Sequence, residues 1–442
     1  MQSSDTRTIL RLAVPALLSL IAEPLFLLAD SAIVGHLGID PLAGLGVASA
    51  VLLTAANIFV FLAYGTTSLV ARWVGAGRPD DALGAGLDGM WLAVGVGLLT
   101  AAPVAIFAGP LCGVFGADAA ILQQGTVYLR ISALGIPAML VALAATGVLR
   151  GFQDTITPLV ATTIGFTANL VLNLLLVYPV GLGIAGSAWG TVIAQWGMAA
   201  GLSAVVLHRA MHSGAHLSPR AAGVLRAARH GVPLLIRTLS LRAVLLLTTW
   251  CAAALGPPSL AAHQVAMTVF GFLAFVLDAL AIAAQSLTGA ALGAGDTALV
   301  RSRTRLMVRW SIAAGVGAGA LLAVTHTVLP LLFTTAPQVR SALGGALLVI
   351  ALQAPIASVV FVLDGVLIGA GDGRALAIVQ TVLLALYIPL AVAIHEQAAA
   401  LAGHGPRVAV MVLWAGFSLF MLARLALLSI RARSDRWLVA GV

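Results

Sequence analysis

Val-Leu-Arg-Gly-Phe-Gln-Asp at residues 148–154 returns 218 residues later as Val-Leu-Ile-Gly-Ala-Gly-Asp at residues 366–372. The same offset, without a gap, lays Ala-Val-Pro-Ala-Leu-Leu (13–18) on Gly-Val-Pro-Leu-Leu-Ile (231–236). It also lays Val-Gly-Ala-Gly-Arg (74–78) on Leu-Gly-Ala-Gly-Asp (292–296), and Pro137 on Pro355. One register held over about 140 residues marks an internal duplication rather than a bias of composition.

What has been duplicated is apolar. The 442 residues are 61% hydrophobic and 9% charged, where a soluble domain carries about 25% charged residues. Runs of about twenty apolar residues are each long enough to cross a hydrocarbon core of about 30 Å, and lipid demands that each segment close its own backbone hydrogen bonds. The ten-residue alternating segments of a membrane barrel do not occur. The reading is an all-α polytopic membrane protein with twelve transmembrane helices. Their approximate limits are 11–36, 45–70, 88–110, 126–149, 158–179, 184–207, 231–255, 262–288, 306–330, 342–368, 375–395 and 406–430. The organisation expected is an N-terminal lobe over 1–207 (spans 1–6), a cytoplasmic inter-lobe linker over 208–230, and a C-terminal lobe over 231–442 (spans 7–12). Six spans per half make the repeat a parallel one, a pattern known in secondary transporters.

The net charge of +8 does not point to nucleic acid, because its arginines lie in short loops. One set of loops and span ends holds Arg7, Arg72, Arg78, Arg150, Arg209, Arg301, Arg374 and Arg431 among others, and the opposite set only Arg130, Arg340 and Arg407. The positive-inside rule then places both termini in the cytoplasm of a cell-membrane protein. The first apolar run is too long for a signal-peptide core and reads as the first span. Cys112 and Cys251 sit singly and read as packing residues, with no metal or disulfide framework.

Polar side chains inside spans need a reason, since a central carboxylate costs at least about 2.5–3.5 kcal/mol. Glu23, Asp30, Asp278 and Asp364 are the acids well inside the predicted spans. Glu23 and Asp30, seven apart, share a face of span 1, and Pro15 before them removes a backbone hydrogen bond and lets that helix bend. Asn169 and Asn173 share a face of span 5, with Thr191 on span 6 placed to join them. In the second half Asp278 and Gln285 share a face of span 8, Gln353 and Asp364 a face of span 10, and Arg237 and Arg242 on span 7 are candidate partners for a buried carboxylate. Asparagine and threonine also serve as interhelical glue worth about 0.6 kcal/mol, and Glu23 with Arg242 could form a structural ion pair. A carboxylate withdrawn from water can take up and release a proton as its surroundings change; backed by amide and hydroxyl oxygens it could instead hold Na⁺. No nucleophile–base pair or metal-ligand spacing indicates an enzyme.

Four stretches carry a resemblance over about residues 8–432: Ala-Asp-Ser-Ala-Ile-Val-Gly-His-Leu-Gly (29–38), Val-Leu-Arg-Gly-Phe-Gln-Asp-Thr-Ile-Thr-Pro (148–158), Leu-Ala-Ala-His-Gln-Val-Ala (260–266) and Leu-Asp-Ala-Leu-Ala-Ile-Ala-Ala-Gln-Ser-Leu-Thr-Gly (277–289). The chain resembles the multidrug and toxic compound extrusion (MATE) transporters, their DinF-like branch above all. The resemblance implies two six-helix lobes around a cavity, alternating access, and cation-coupled export of small organic, cationic or amphiphilic compounds by a monomer without cofactors. It implies a cation-coupling set of Asp30, Asn169, Asn173 and Thr191, with Pro15 as the helix-bending proline. The family's second carboxylate is an amide here, Asn173, which favours H⁺ over Na⁺. Glu23, Phe26, Asp278, Gln285, Gln353, Asp364, Arg237 and Arg242 are the expected cavity residues. The alternative is a flippase for lipid-linked precursors, whose cavity would be richer in basic residues.

Overall fold

The structure, a computed structural model, describes residues 2–115 and 118–441. Twelve long apolar helices account for most of them: α1 Gln2–Gly35, α2 Ile39–Gly75, α3 Pro79–Ile106, α4 Ala119–Gly151, α5 Ile156–Val177, α6 Ile184–Met211, α7 Ala221–Ala254, α8 Pro257–Gly293, α9 Thr297–Thr325, α10 Pro337–Gly369, α11 Gly373–Glu396 and α12 Pro406–Arg433. The shortest, α5, has 22 residues, or about 33 Å at 1.5 Å per residue. All twelve predicted spans are present. The chain is therefore a multi-pass membrane protein. Helix α1 runs unbroken through Pro15 and Pro24, α2 is interrupted at Val60, and α4 passes through a 3-10 turn at Ala133–Gly135.

Helix α7 starts ten residues earlier than the apolar pattern indicated, so only residues 212–220 of the expected linker are non-helical. The arginine-bearing turn around Arg226 and Arg229 is polar yet still helical, and hydropathy marks where lipid begins rather than where a helix does. For the same reason Asp88, read as the edge of a span, lies well inside α3 and is buried.

The chain divides into two compact units. The N-terminal unit comprises residues 10–232 with 293–295 and 441, and the C-terminal unit residues 2–9, 233–292 and 296–440, as far as they are described. The repeat seen in the sequence is repeated inside each unit as backbone contact. A Cβ on Gly147 of α4 would lie 2.6 Å from the Ala63 carbonyl oxygen of α2. Its counterpart on Gly365 of α10 would lie 2.3 Å from that of Ala281 on α8. Likewise Gly97 packs on Pro137 and Gly315 on Pro355, with the added Cβ 2.6 and 2.8 Å from the proline Cα. Each pair is related by the 218-residue offset, and in each a hydrogen in place of a side chain lets two helices touch, as membrane helix packing favours.

Turns recur too. Gly77 and Gly295 both take left-handed backbone after α2 and α8, with φ of 71° and 76°. Gln153 and Gly371 do so after α4 and α10, with φ of 59° and 74°. Directly after these last two turns, Asp154 pairs with Arg209 of α6 and Asp372 with Arg431 of α12, each at 2.6 Å. Asp154 is further bound by the Thr157 N–H at 2.9 Å and the Thr157 hydroxyl at 2.8 Å.

Candidate functional site

In the N-terminal unit, α1, α4, α5 and α6 bring one carboxylate together with five neutral polar side chains. Asp30 lies in the second-last turn of α1 with 3% of its surface exposed. Its Oδ1 accepts from the Asn173 amide of α5 at 2.8 Å and from the Ser187 hydroxyl of α6 at 2.5 Å. Its Oδ2 accepts from the Tyr128 hydroxyl of α4 at 3.1 Å. The Asn173 amide also donates to Asn169 Oδ1 at 3.0 Å, and the Asn169 amide to Thr191 Oγ1 at 3.0 Å. The result is an open ring of hydrogen bonds, Tyr128–Asp30–Asn173–Asn169–Thr191, with Ser187 as an added donor.

Helical spacing explains the convergence. Asn169 and Asn173 are one turn apart on α5, and Ser187, Gly190 and Thr191 share a face of α6. Gly190 is required for close approach: a Cβ there would lie 2.0 Å from Asn173 Oδ1. That oxygen is buried with no hydrogen-bond partner among the described residues. On one side the ring is sealed by an apolar cluster that includes Val34, Leu45, Cys112, Leu129 and Ala188. Behind it, the Tyr178 hydroxyl donates to the Ile33 carbonyl at 2.8 Å. Chemically this is a dry carboxylate whose charge is met by neutral dipoles; among the described residues no arginine or histidine reaches it. Such a group can exchange a proton with little rearrangement of its neighbours.

Of the residues read from the sequence, Asp30, Asn169, Asn173 and Thr191 are therefore in one cluster. Tyr128 and Ser187 were not foreseen. Ser187 lies one turn before Thr191 on the same face, a signal that was available; Tyr128 has only its proximity to Arg130, which reads as the polar edge of a span. Phe26 stacks on Phe166 of α5, with ring centroids 5.0 Å apart. The side chain of Glu23, and with it the pairing to Arg242, lies outside the described residues; Arg242 itself is half-buried.

The C-terminal unit gathers its charge differently. Asp364 of α10 accepts at one oxygen, Oδ2, from both Arg237 of α7 and Arg424 of α12, and all three are buried. Arg237 was expected to meet a carboxylate; Arg424, nine residues before the end of α12, was not singled out. Gln353 accepts from Ser418 of α12 at 2.7 Å and is buried, as is Gln285, while Asp278 is half-buried. At the position equivalent to Asp30 stands Thr248, hydrogen-bonded at 2.8 Å to Tyr387, the equivalent of Asn169. Around that pair Phe417, Phe420 and Trp414 form an aromatic core. The same helix contact is thus polar and acidic in one unit and aromatic in the other.

Comparison with known proteins adds an independent line. The family model described as MatE matches residues 15–175 and again 233–393, the same 218-residue offset. The chain is 34% identical over 433 residues to Protein DETOXIFICATION 44, chloroplastic, of Arabidopsis thaliana, covering 94% of this chain and 80% of that one. It is 30% identical over 384 residues to the DNA damage-inducible protein F of Escherichia coli K12, covering 83% and 81%. In fold it is similar to the crystal structure of the Vibrio cholerae MATE transporter VcmN in the bent form, with a TM-score of 0.86, 21% identity, and coverage of 98% and 99%.

Proposed function

The chain belongs to the MatE family of multidrug and toxic compound extrusion transporters, and on that premise we propose that it exports small organic, cationic or amphiphilic compounds in exchange for protons. One observation carries it: the only carboxylate of the N-terminal ring, Asp30, is buried and held by three neutral donors. Asn169, Asn173 and Thr191 act with Asp30 in coupling, and Pro15 is the bending point of α1.

The donor set supports H⁺ over Na⁺. A sodium ion wants several converging oxygens, whereas at Asp30 the Asn173 amide presents hydrogens. The cycle then needs no organic cofactor or resident metal. The arginine asymmetry supports a cell-membrane protein with both termini in the cytoplasm, acting as a monomer. Arg237 and Arg424 are the one observation that favours a lipid-precursor flippase, but both are engaged by Asp364, which weighs against a free anion-binding surface.

The test is transport in reconstituted vesicles, with a panel of organic cations and dyes. An imposed proton gradient in sodium-free buffer should drive export by the wild type and fail in Asp30→Asn, with both proteins folded. Export driven by a sodium gradient alone refutes the ion assignment, and wild-type turnover by Asp30→Asn removes Asp30 from the mechanism.

A further inference from the structure

We propose that Ser187 is a positioning residue of the coupling site, whose hydroxyl sets the pH at which Asp30 exchanges its proton. The inference rests on the reading of Asp30 as the proton carrier. Three donors meet the carboxylate, and they are not equivalent. Ser187 makes the shortest contact, 2.5 Å to Oδ1, and its residue is fully buried, so no water can replace it. Tyr128 reaches the other oxygen at the longest distance of the three, 3.1 Å. Asn173 is tied to Asn169 as well as to Asp30.

The two protonation states make different demands. An ionised carboxylate only accepts, and all three neighbours can donate to it. A protonated one must also donate, and the Asn173 NH₂ group cannot accept. Ser187 can. When a proton adds to Oδ1, the Ser187 O–H turns away, its lone pair accepts the new Asp30 hydrogen, and its own hydrogen is free to bond a backbone carbonyl of the preceding turn, a common serine habit in helices. No bond other than the new O–H forms, and Asn173, Asn169 and Thr191 keep their places. The ring therefore stays intact while its acid changes charge.

Few other groups can share this role. Among the described residues, the titratable side chains around the Asp30 end of α1 include Tyr128 on α4 and Tyr178, directly after α5, which donates to Ile33. Cys112, in the short helix after α3, belongs to the adjoining apolar cluster. Directly after α1, His36 bonds the Ala32 carbonyl, and the Glu23 side chain on α1 is outside the described residues. From α6 Ser187 is the hydrogen-bonding group that reaches the carboxylate.

The test follows Asp30 directly. Infrared difference spectra of the full chain in lipid, taken across the acid-to-neutral range, contain the carboxyl band that disappears in Asp30→Asn. Ser187→Ala should move the midpoint of that band to higher pH by roughly half a unit to one unit, because the hydroxyl bonds the ionised carboxylate about twice as strongly as the neutral acid and only that difference enters the midpoint. Ser187→Thr, which keeps the hydroxyl, should stay near the wild type. An unchanged midpoint in Ser187→Ala, or a Ser187→Thr midpoint that matches Ser187→Ala, overturns the role of Ser187 whatever transport does. If the midpoints move as expected but Asp30→Asn vesicles still transport on a proton gradient, the coupling reading falls instead. A wild type with no band sensitive to Asp30→Asn overturns both.

Discussion

The Asn173 side chain donates to Asp30 with its nitrogen, at 2.8 Å, and leaves its oxygen buried and unpartnered among the described residues, against Gly190. That orientation goes with an ionised Asp30. Turning the amide would aim an oxygen at a carboxylate and at Asn169 Oδ1, which now accepts from it. The position at which the family resemblance implied a second acid is thus an amide that donates, and Asp30 is the one carboxylate of the ring.

Gly190 is the part of this arrangement with no room to vary. Gly190→Ala places a methyl 2.0 Å from Asn173 Oδ1 and 3.0 Å from its backbone nitrogen. Overpacking of this kind costs about 1–3 kcal/mol, and relief requires Asn173 to leave Asp30. We expect a lowered unfolding temperature in detergent together with a severalfold loss of proton-driven transport. Gly197, two turns on along α6, faces open space; Gly197→Ala should leave both unchanged. Equal behaviour of the two variants would show that Asn173 is not held as described.

Much of this was legible in the sequence, and the rest was not for identifiable reasons. Asp30, Asn169, Asn173 and Thr191 stood out because lipid makes every polar side chain conspicuous. Ser187 and Tyr128 did not, since a serine beside glycines and a tyrosine near an arginine are ordinary in membrane helices. The repeat was visible in Pro137 and Pro355, but its physical content, Gly97 and Gly315 seated on those prolines, needs coordinates. Likewise Thr248 could be placed opposite Asp30 by arithmetic, while its bond to Tyr387 could not.

The ion cluster of the C-terminal unit gives a stability prediction. Asp364 is the shared acceptor of Arg237 and Arg424, all deep in the helix packing. Asp364→Asn leaves two buried guanidinium groups without their carboxylate, and breaking such a buried pair costs about 3–5 kcal/mol. Arg424→Met keeps the Arg237–Asp364 pair and replaces a cation by an apolar chain, so its loss should be clearly smaller. Thermal unfolding of both variants in one detergent checks the order. A milder effect from Asp364→Asn than from Arg424→Met contradicts it.

The turn after α4 is strained where its repeat partner is not. Gln153 has φ of 59°, a left-handed conformation that costs an L side chain about 1–2 kcal/mol. Gly371 holds the same place after α10 with φ of 74° and open space around it. Gln153→Gly should stabilise the protein by about 0.5–1 kcal/mol once the greater freedom of an unfolded glycine is subtracted. Gly371→Ala should destabilise by a similar amount through backbone alone. The readout is the unfolding temperature; a loss on Gln153→Gly would mean that its side chain contributes more than the turn costs.

The loop aspartate next to that turn supplies a pH dependence outside the membrane spans. Burial alone would raise the Asp154 carboxyl, but the Thr157 N–H, the Thr157 hydroxyl and Arg209 outweigh it and hold the group below its ordinary value. A carboxylate depressed in the folded state stabilises the fold above its unfolded pKa of about 3.9, and that contribution is lost as pH falls through the lower folded value. Asp154 is partly exposed, so solvent screening keeps the effect modest. Asp154→Asn should therefore unfold at a lower temperature than the wild type at neutral pH, with the gap closing below about pH 4. Arg209→Met should lose part of the same increment and show the same convergence. A gap between wild type and Asp154→Asn that is constant with pH would mean that the aspartate acts by its shape as a cap on α5, and that its charge contributes nothing.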